Sequence, residues 1–342
     1  MSEKSYEFAQ LSTFPELAEE TNSLIEEAFG YRKPEHFSAD FAPIAGAHNF
    51  QNRHILYDPN TKQVVGHVGC LPKTFTWQGE AIPVVMIGGI AVSQATRGQG
   101  LFRELFLRVL AHYHSQCAFF LLWSDKHELY AKYDFYLAGR QWCYRLPGDA
   151  AKGEIATIKT LPESTLQEMQ QIYQGQINAK TFSPLRDRTD WKNIGDITST
   201  ELHLLRTNGK LAGYYFRNKG MDLTGVVHDW AHHEGVQGLL RDAGSPGVVW
   251  ASENVPVDDE VLQDLQLVGL WRANTHPMAL KKLSLLLGDA QVEWVDPHFV
   301  VKSARGTHRL SANEFMEELF SFGKYGIRNH PLPVWVGGLD SV

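Results

Sequence analysis

Apolar positions recur at helical spacing over "FPELAEETNSLIEEAFG", with acidic residues on the other face and Gly30 just beyond the end, so a helix is predicted over about 14–29. An aromatic loop, "YRKPEHFSADFAP", follows, and then the period changes. From Asn52 to Ser93 three β-rich runs are separated by "DPNTK" and "QGEA", the turn chemistry of an antiparallel meander. At Leu101 the helical period returns: Phe102, Leu105, Phe106, Val109, Leu110 and Tyr113 share one face, while Arg103, Glu104 and Arg108 point elsewhere. A buried strand, "CAFFLLWS", a short helical stretch, "DKHELYAKYDF", and a further strand, "LAGRQWCYRL", complete one α/β unit over residues 1–147.

The segment "LPGDAAKGEIATIKTLPES", rich in Gly, Pro and small residues, marks a boundary near residue 148. Beyond it the order of elements nearly repeats. A helix, "STLQEMQQIYQGQINA", precedes a second meander with turns at "TNGK" and "NKG". Then come a helix, "HEGVQGLLRDAG", a strand, "GVVWASE", a helix over "DDEVLQDLQLV" and a strand near "GLWRANTH". The pattern predicts two copies of one fold, over 1–147 and 148–285. A shorter unit, 286–342, reads as a strand pair over "QVEWVDPHFVVKSARGTHRL", a capped helix over "SANEFMEELFSFG", and an extended tail, "HPLPVWVGGLDSV".

Composition narrows this picture. The 342 residues are 43% hydrophobic and 21% charged, with a net charge of -7, which argues against a broad basic face for nucleic acid or anionic membranes and suits cationic substrates. The N-terminus lacks the layout of a signal peptide and no apolar run approaches the roughly 18 residues of a spanning helix, so a cytoplasmic protein without membrane contact is expected. Cys70, Cys117 and Cys143 show no CxxC spacing, which predicts reduced thiols and no thiolate metal site. His228 and His232 have a metal-ligand spacing but no third ligand is evident, so no metal is expected.

Candidate chemistry lies where the third strand hands over to a helix, at "VSQATRGQGLFREL". The first amides of a helix lack intrahelical partners and carry partial positive charge, which stabilises an anion. Gly98 and Gly100 let the backbone approach a phosphate closely, and Arg97 adds a charged contact. The stretch therefore reads as a pyrophosphate cradle, against the competing reading of a tight connection. It is neither GxGxxG after a first parallel strand nor GxxxxGK[ST], and the antiparallel meander before it disfavours both.

With those residues placed, "GGIAVSQATRGQGLFREL" resembles motif A of the GNAT acetyltransferases, V-x-P-x-x-R-G-x-G-I/L-G. Val92 stands in the valine place, and Arg97, Gly98, Gly100 and Leu101 match. Gln94 replaces the usual Pro. Phe102 replaces the last small residue, where tandem acetyltransferases of the Eis type carry a larger apolar side chain. Downstream, "ELYAKYDFYLAG" resembles the L-Y-x-K-x-G-F segment of the same superfamily, with Leu129, Tyr130, Lys132 and Phe135 in register and Asp134 in place of Gly.

The resemblance implies an α/β (α+β) architecture of tandem GNAT folds, each a mixed, mostly antiparallel sheet flanked by helices, with 1–147 catalytic, 148–285 degenerate and 286–342 returning toward the first domain. It implies an acetyl-CoA-dependent N-acetyltransferase acting on a small-molecule or peptide amine. Ile90, Ala91 and Val92 would meet the pantetheine arm, and Arg97, Gly98, Gln99, Gly100, Leu101 and Phe102 would hold the pyrophosphate. Tyr130 would protonate the leaving thiolate, a packing role being the alternative. By resemblance to Eis-type proteins the carboxylate of Val342 becomes the candidate base, with Asp125, His127 and Glu128 as the other candidates. Phe29, Tyr31, Phe37 and Phe41 line an acceptor pocket or pack in the core. Two further functions compete: a catalytically silent acyl-CoA-binding regulator, and an aminoacyl or peptide transferase, which would need a basic groove for tRNA that the chain does not display. Nothing in the sequence decides between a monomer and a homo-oligomer.

Overall fold

The computed structural model describes residues 6–148, 150–177, 181–288 and 290–342. Its first half runs β1 (Glu7–Gln10), α1 (Ala18–Phe29), α2 (Phe37–Asp40), α3 (Ala42–Ala45), β2 (Arg53–Tyr57), β3 (Val64–Trp77) and β4 (Glu80–Val92). It continues with α4 (Leu101–Tyr113), β5 (Phe119–Leu122), α5 (His127–Ala131) and β6 (Tyr136–Arg145). After the two short strands β7 (Ala150–Ala151) and β8 (Glu154–Ala156) come α6 (Glu163–Ile177), β9 (Ser183–Pro184) and α7 (Arg188–Ile194). A second meander, β10 (Glu201–Thr207), β11 (Lys210–Arg217) and β12 (Val226–His232), leads to α8 (Gly235–Asp242), β13 (Gly244–Ser245), β14 (Val248–Ala251) and β15 (Leu262–Ala273). The rest is α9 (Pro277–Leu286), a sheet of β16 (Gln291–Val295), β17 (His298–Ser303) and β18 (Gly306–Leu310), α10 (Ala312–Phe320) and an extended tail.

One sheet crosses both halves, in the order β1-β2-β3-β4-β5-β15-β6-β14-β12-β11-β10-β8, with β9 on β3. In each half an antiparallel meander ends on a strand that pairs in parallel with the next one, β4 with β5 and β12 with β14. The last strands are exchanged. β15 pairs with β5 and β6, and β6 pairs with β14, all antiparallel, so each half lends its final strand to the other.

The exchange explains a correction. "DDEVLQDLQLV" is not a helix; from Leu262 it is the start of β15. Leu262 and Leu265 have the three-residue spacing of a helical face, but β6 takes this segment from Leu262 through Trp271, and that tertiary pairing overrides local pattern. The expected pair after residue 290 is three strands, because the two-residue links at Asp296–Pro297 and Ala304–Arg305 fold the run twice. The loop after α1 contains the single turns α2 and α3.

Helix α4 buries Leu101, Leu105, Phe106, Val109, Leu110 and Tyr113 against the sheet, each worth roughly 1.5–3 kcal/mol of transfer free energy when fully removed from water. On the opposite face α10 packs Phe320 on Trp271, ring centroids 5.1 Å apart. Ser311 and Glu314 cap α10 reciprocally, as "SANE" predicts. All three cysteines are free and buried. Among the described residues no helix is long and apolar enough to cross a membrane.

Candidate active site

Strand β4 pairs with β5 only from Val84–Phe119 to Ile87–Leu122. There the two diverge, and β4 carries a bulge against β3 between His67 and Gly69, with Gly89 at φ 57°. Such a left-handed residue is what a bulge needs and what glycine supplies without strain. Nδ1 of His67 donates to the Gly89 carbonyl at 2.6 Å, and the Arg53 Nε–H donates to His67 Nε2 at 3.2 Å. Burial, reinforced by the Arg53 charge, holds His67 far below its ordinary pKa, so it is neutral with its proton on Nδ1. Across a trans peptide, C=O and the next N–H point in opposite directions. With the Gly89 carbonyl turned in toward His67, the Ile90 amide points toward the open side of β4.

That open side is the wall of a cavity of about 980 Å³. Ile90, Ala91 and Val92 line it, as do Arg97, Gly98, Gly100, Leu101 and Phe102; Gln99 is exposed outside it. A 3-10 turn over Gln94–Thr96 ends β4, and Gly98 and Gly100 follow at φ 80° and 79°. The amides of Gly98 through Arg103 meet no acceptor among the described residues, and no side chain caps α4. Free donors at the positive end of a helix dipole are the arrangement that favours an anion.

Tyr130 enters the cavity from α5, its ring edge-on to Phe102 and Phe106 at 6.1 and 5.7 Å. Burial, with the Asp125 charge adding to it and a hydrogen bond with Ser124 opposing it, pushes the phenol up to about 12. Asp134, standing where the motif has Gly, adopts φ 61°, which accounts for the glycine usual there. Of the other candidates for a base, Asp125 is exposed on the cavity rim, and His127 and Glu128 are exposed away from it.

The tail reaches the same cavity from the other side. Val334 bridges to Phe182, Trp335 N–H donates to the Phe182 carbonyl at 3.1 Å, and Gly338 N–H donates to the His228 carbonyl at 2.8 Å. Gly337 and Gly338 lie against Asp229 and His228 so closely that any Cβ would collide. Arg186, fully buried, binds the carboxylates of Asp229 and Asp340, the latter at 3.0 and 2.7 Å. Burial alone would lower the Arg186 pKa, but the two carboxylates outweigh it and hold the guanidinium charged. The chain ends against Gly88 of β4: a Cβ there would sit 2.8 Å from the Val342 carbonyl oxygen and 3.0 Å from its Cβ. No ion pair to the terminal carboxylate occurs among the described residues.

The first helix and its following turns close the remaining wall with Phe29, Tyr31, Phe37 and Phe41, joined by Asp40 and Asp222. Of the residues given a role in acyl transfer or its acceptor pocket in the sequence, the structure brings all to this cavity except Gln99, His127 and Glu128. His228 and His232 sit apart from it in hydrogen bonds of their own, to the Asn218 carbonyl and to Asp242. Sequence reasoning missed His67, Lys219 and Arg186. The only local signals were "GHVG" on the strand facing the bulge and the paired glycines of the tail.

Residues 14–138 match the family model for an acetyltransferase (GNAT) domain. No curated protein matches the chain in sequence. Among solved structures, a GCN5-related N-acetyltransferase from Kribbella flavida aligns with a TM-score of 0.60 at 14% identity, over 90% of this chain and 84% of that one. Eis1 from Mycobacterium abscessus aligns with a TM-score of 0.57 at 14% identity, over 89% and 84%. N-myristoyltransferase of Saccharomyces cerevisiae, solved with bound myristoyl-CoA, gives 0.51 at 10% identity, over 78% and 79%. At these identities the likeness is one of fold. Residues 14–138 are therefore similar to a GNAT acetyltransferase domain, and the fold of the whole chain is similar to that of solved GNAT structures, Eis1 among them.

Proposed function

We propose that the protein moves an acetyl group from acetyl-CoA directly to a primary amine. The observation that carries this reading is the convergence of a turn with free amides, a buried phenol and Val342 on one cavity. The pyrophosphate lies on the free amides at Gly98–Arg103, and pantetheine lies along Ile90–Val92 in place of the missing strand partner. The thioester carbonyl then accepts from the Ile90 amide at the bulge. The amine attacks that carbon, its electron pair forming the C–N bond while the Val342 carboxylate takes the N–H proton. Collapse breaks the C–S bond, and the Tyr130 phenol supplies the proton the departing thiolate needs. In this reading 1–147 holds the cosubstrate, 148–285 holds the tail and 286–342 delivers it; the reaction is cytosolic, without metal or nucleic acid.

The test is transfer from acetyl-CoA to a panel of polyamines, aminoglycosides, amino acids and peptide N-termini, alongside melting with CoA. A rise in melting temperature together with turnover of at least one amine is expected. A rise with no turnover of any amine would make the protein a silent binder of acyl-CoA. Gly88→Ala is expected to lower turnover at saturating acetyl-CoA, because its methyl group occupies the place of the terminal carboxylate; an unchanged rate would remove the carboxylate from beside the thioester.

A further inference from the structure

We infer that Lys219 is a positioning residue for the transfer: its ammonium group grips the last turn of the chain and so fixes the Val342 carboxylate against the β4 bulge. The inference rests on the reading of Val342 as the base. Lys219 follows β11, is buried at 2% exposure, and reaches the cavity wall. Its Nζ donates to the carbonyl of Gly338 at 2.6 Å, the carbonyl of Ser341 at 2.9 Å and the Ser341 hydroxyl oxygen at 3.2 Å. Three acceptors match the three donors of an ammonium group. The Ser341 hydroxyl gives its own proton to the Gly338 carbonyl at 2.8 Å, which leaves a lone pair facing Lys219.

The Ser341 carbonyl belongs to the peptide bond that carries Val342. Holding it fixes the plane from which the terminal carboxylate projects. Lys219 Nζ also lies 4.3 Å from the centroid of the Phe41 ring, so the same cation links the tail to the acceptor wall. Burial pushes its pKa down to about 7, opposed by the charges of Asp340, Asp40, Asp229 and Asp222. No carboxylate forms an ion pair with it among the described residues. A buried cation held by carbonyls is expensive where an apolar side chain would fit, and all three of the hydrogen bonds it makes among the described residues go to the tail. With Arg186 on Asp340 and His228 on Gly338, the second half of the chain becomes the clamp for a group used in the first.

The test compares Lys219→Met, which keeps the length of the side chain, in the full chain and in a chain lacking Val342. Release of Val342 by carboxypeptidase Y, read from intact mass, should be about tenfold faster or more in Lys219→Met, and kcat with the best amine of the panel should fall about tenfold or more. KM for acetyl-CoA and the thermal shift with CoA should stay as in the parent. In the shortened chain Lys219→Met should bring no further loss, since both changes act through one carboxylate. Unchanged release, unchanged kcat, or equal losses in both backgrounds would overturn the assignment. If the shortened chain alone keeps full activity, the reading of Val342 fails, and carboxypeptidase release still reports whether Lys219 holds the tail. Should Lys219→Met not fold, Ser341→Ala decides on the same readouts: it removes one acceptor without disturbing a buried charge, and a smaller loss in the same direction is expected.

Discussion

Deleting Val342 is expected to lower kcat by about 10²-fold or more, the contribution of a positioned general base. The new terminus would be the carboxylate of Ser341, drawn back by about 3.5 Å, the span of one extended residue. It would also fall under Lys219, which already binds the Ser341 carbonyl and would now pair with it as an ion. Adding a single Gly after Val342 asks a sharper question, because it keeps every side chain and turns the carboxylate into an amide that takes no proton at neutral pH. Both chains should bind acetyl-CoA as the parent does, since the amides of Gly98–Arg103 lie on the opposite side of the cavity. Val342 is only partly buried, and its loss should leave the melting temperature nearly unchanged. A shortened and an extended chain that both turn over at the parental rate would exclude the terminal carboxylate and direct attention to Asp125 on the rim.

The parts of this site that were legible in the sequence are local ones. The turn at Arg97–Phe102 could be placed at the cavity because a strand, two glycines and an amphipathic helix follow one another within a few residues, and each has its own period or conformational signature. Tyr130 could be placed because it sits on the next short helix. The clamp could not be read in that way. Arg186 and Asp340 are 154 residues apart, and Lys219 and Ser341 are 122 apart. A buried lysine looks the same in sequence as an exposed one until a sheet brings carbonyls to it. The exchange of β6 and β15 escaped for the same reason: Leu262–Leu267 carries spacing that suits either structure, and only the pairing with β6 decides. His67 shows the intermediate case, since a histidine between two glycines on a strand marks an unusual backbone without revealing which carbonyl it meets.

Replacing Tyr130 with Phe is expected to lower kcat by about 10²-fold while leaving the affinity for acetyl-CoA unchanged. The substitution keeps the ring that packs on Phe102 and Phe106 and removes only the oxygen and its proton. The stability cost should be about 1 kcal/mol or less, the net worth of the hydrogen bond with Ser124. The sign of the pKa shift makes the prediction sharper. Burial raises the phenol to about 12, so it stays protonated and able to donate throughout the working range of pH. No descending limb in the pH profile of kcat below about pH 10 should therefore belong to Tyr130, and any limb there should persist in Tyr130→Phe. Stability responds in the same direction. A phenol whose folded pKa lies above its unfolded value of 10.0 contributes fully below pH 10 and loses that contribution as pH rises toward 12. The Phe variant lacks this alkaline loss, so its melting temperature should draw level with the parental one and then exceed it between pH 10 and 12. A variant with the parental kcat would show that the thiolate leaves without a proton from this residue, and the crossing of the melting curves would then report burial of the phenol alone.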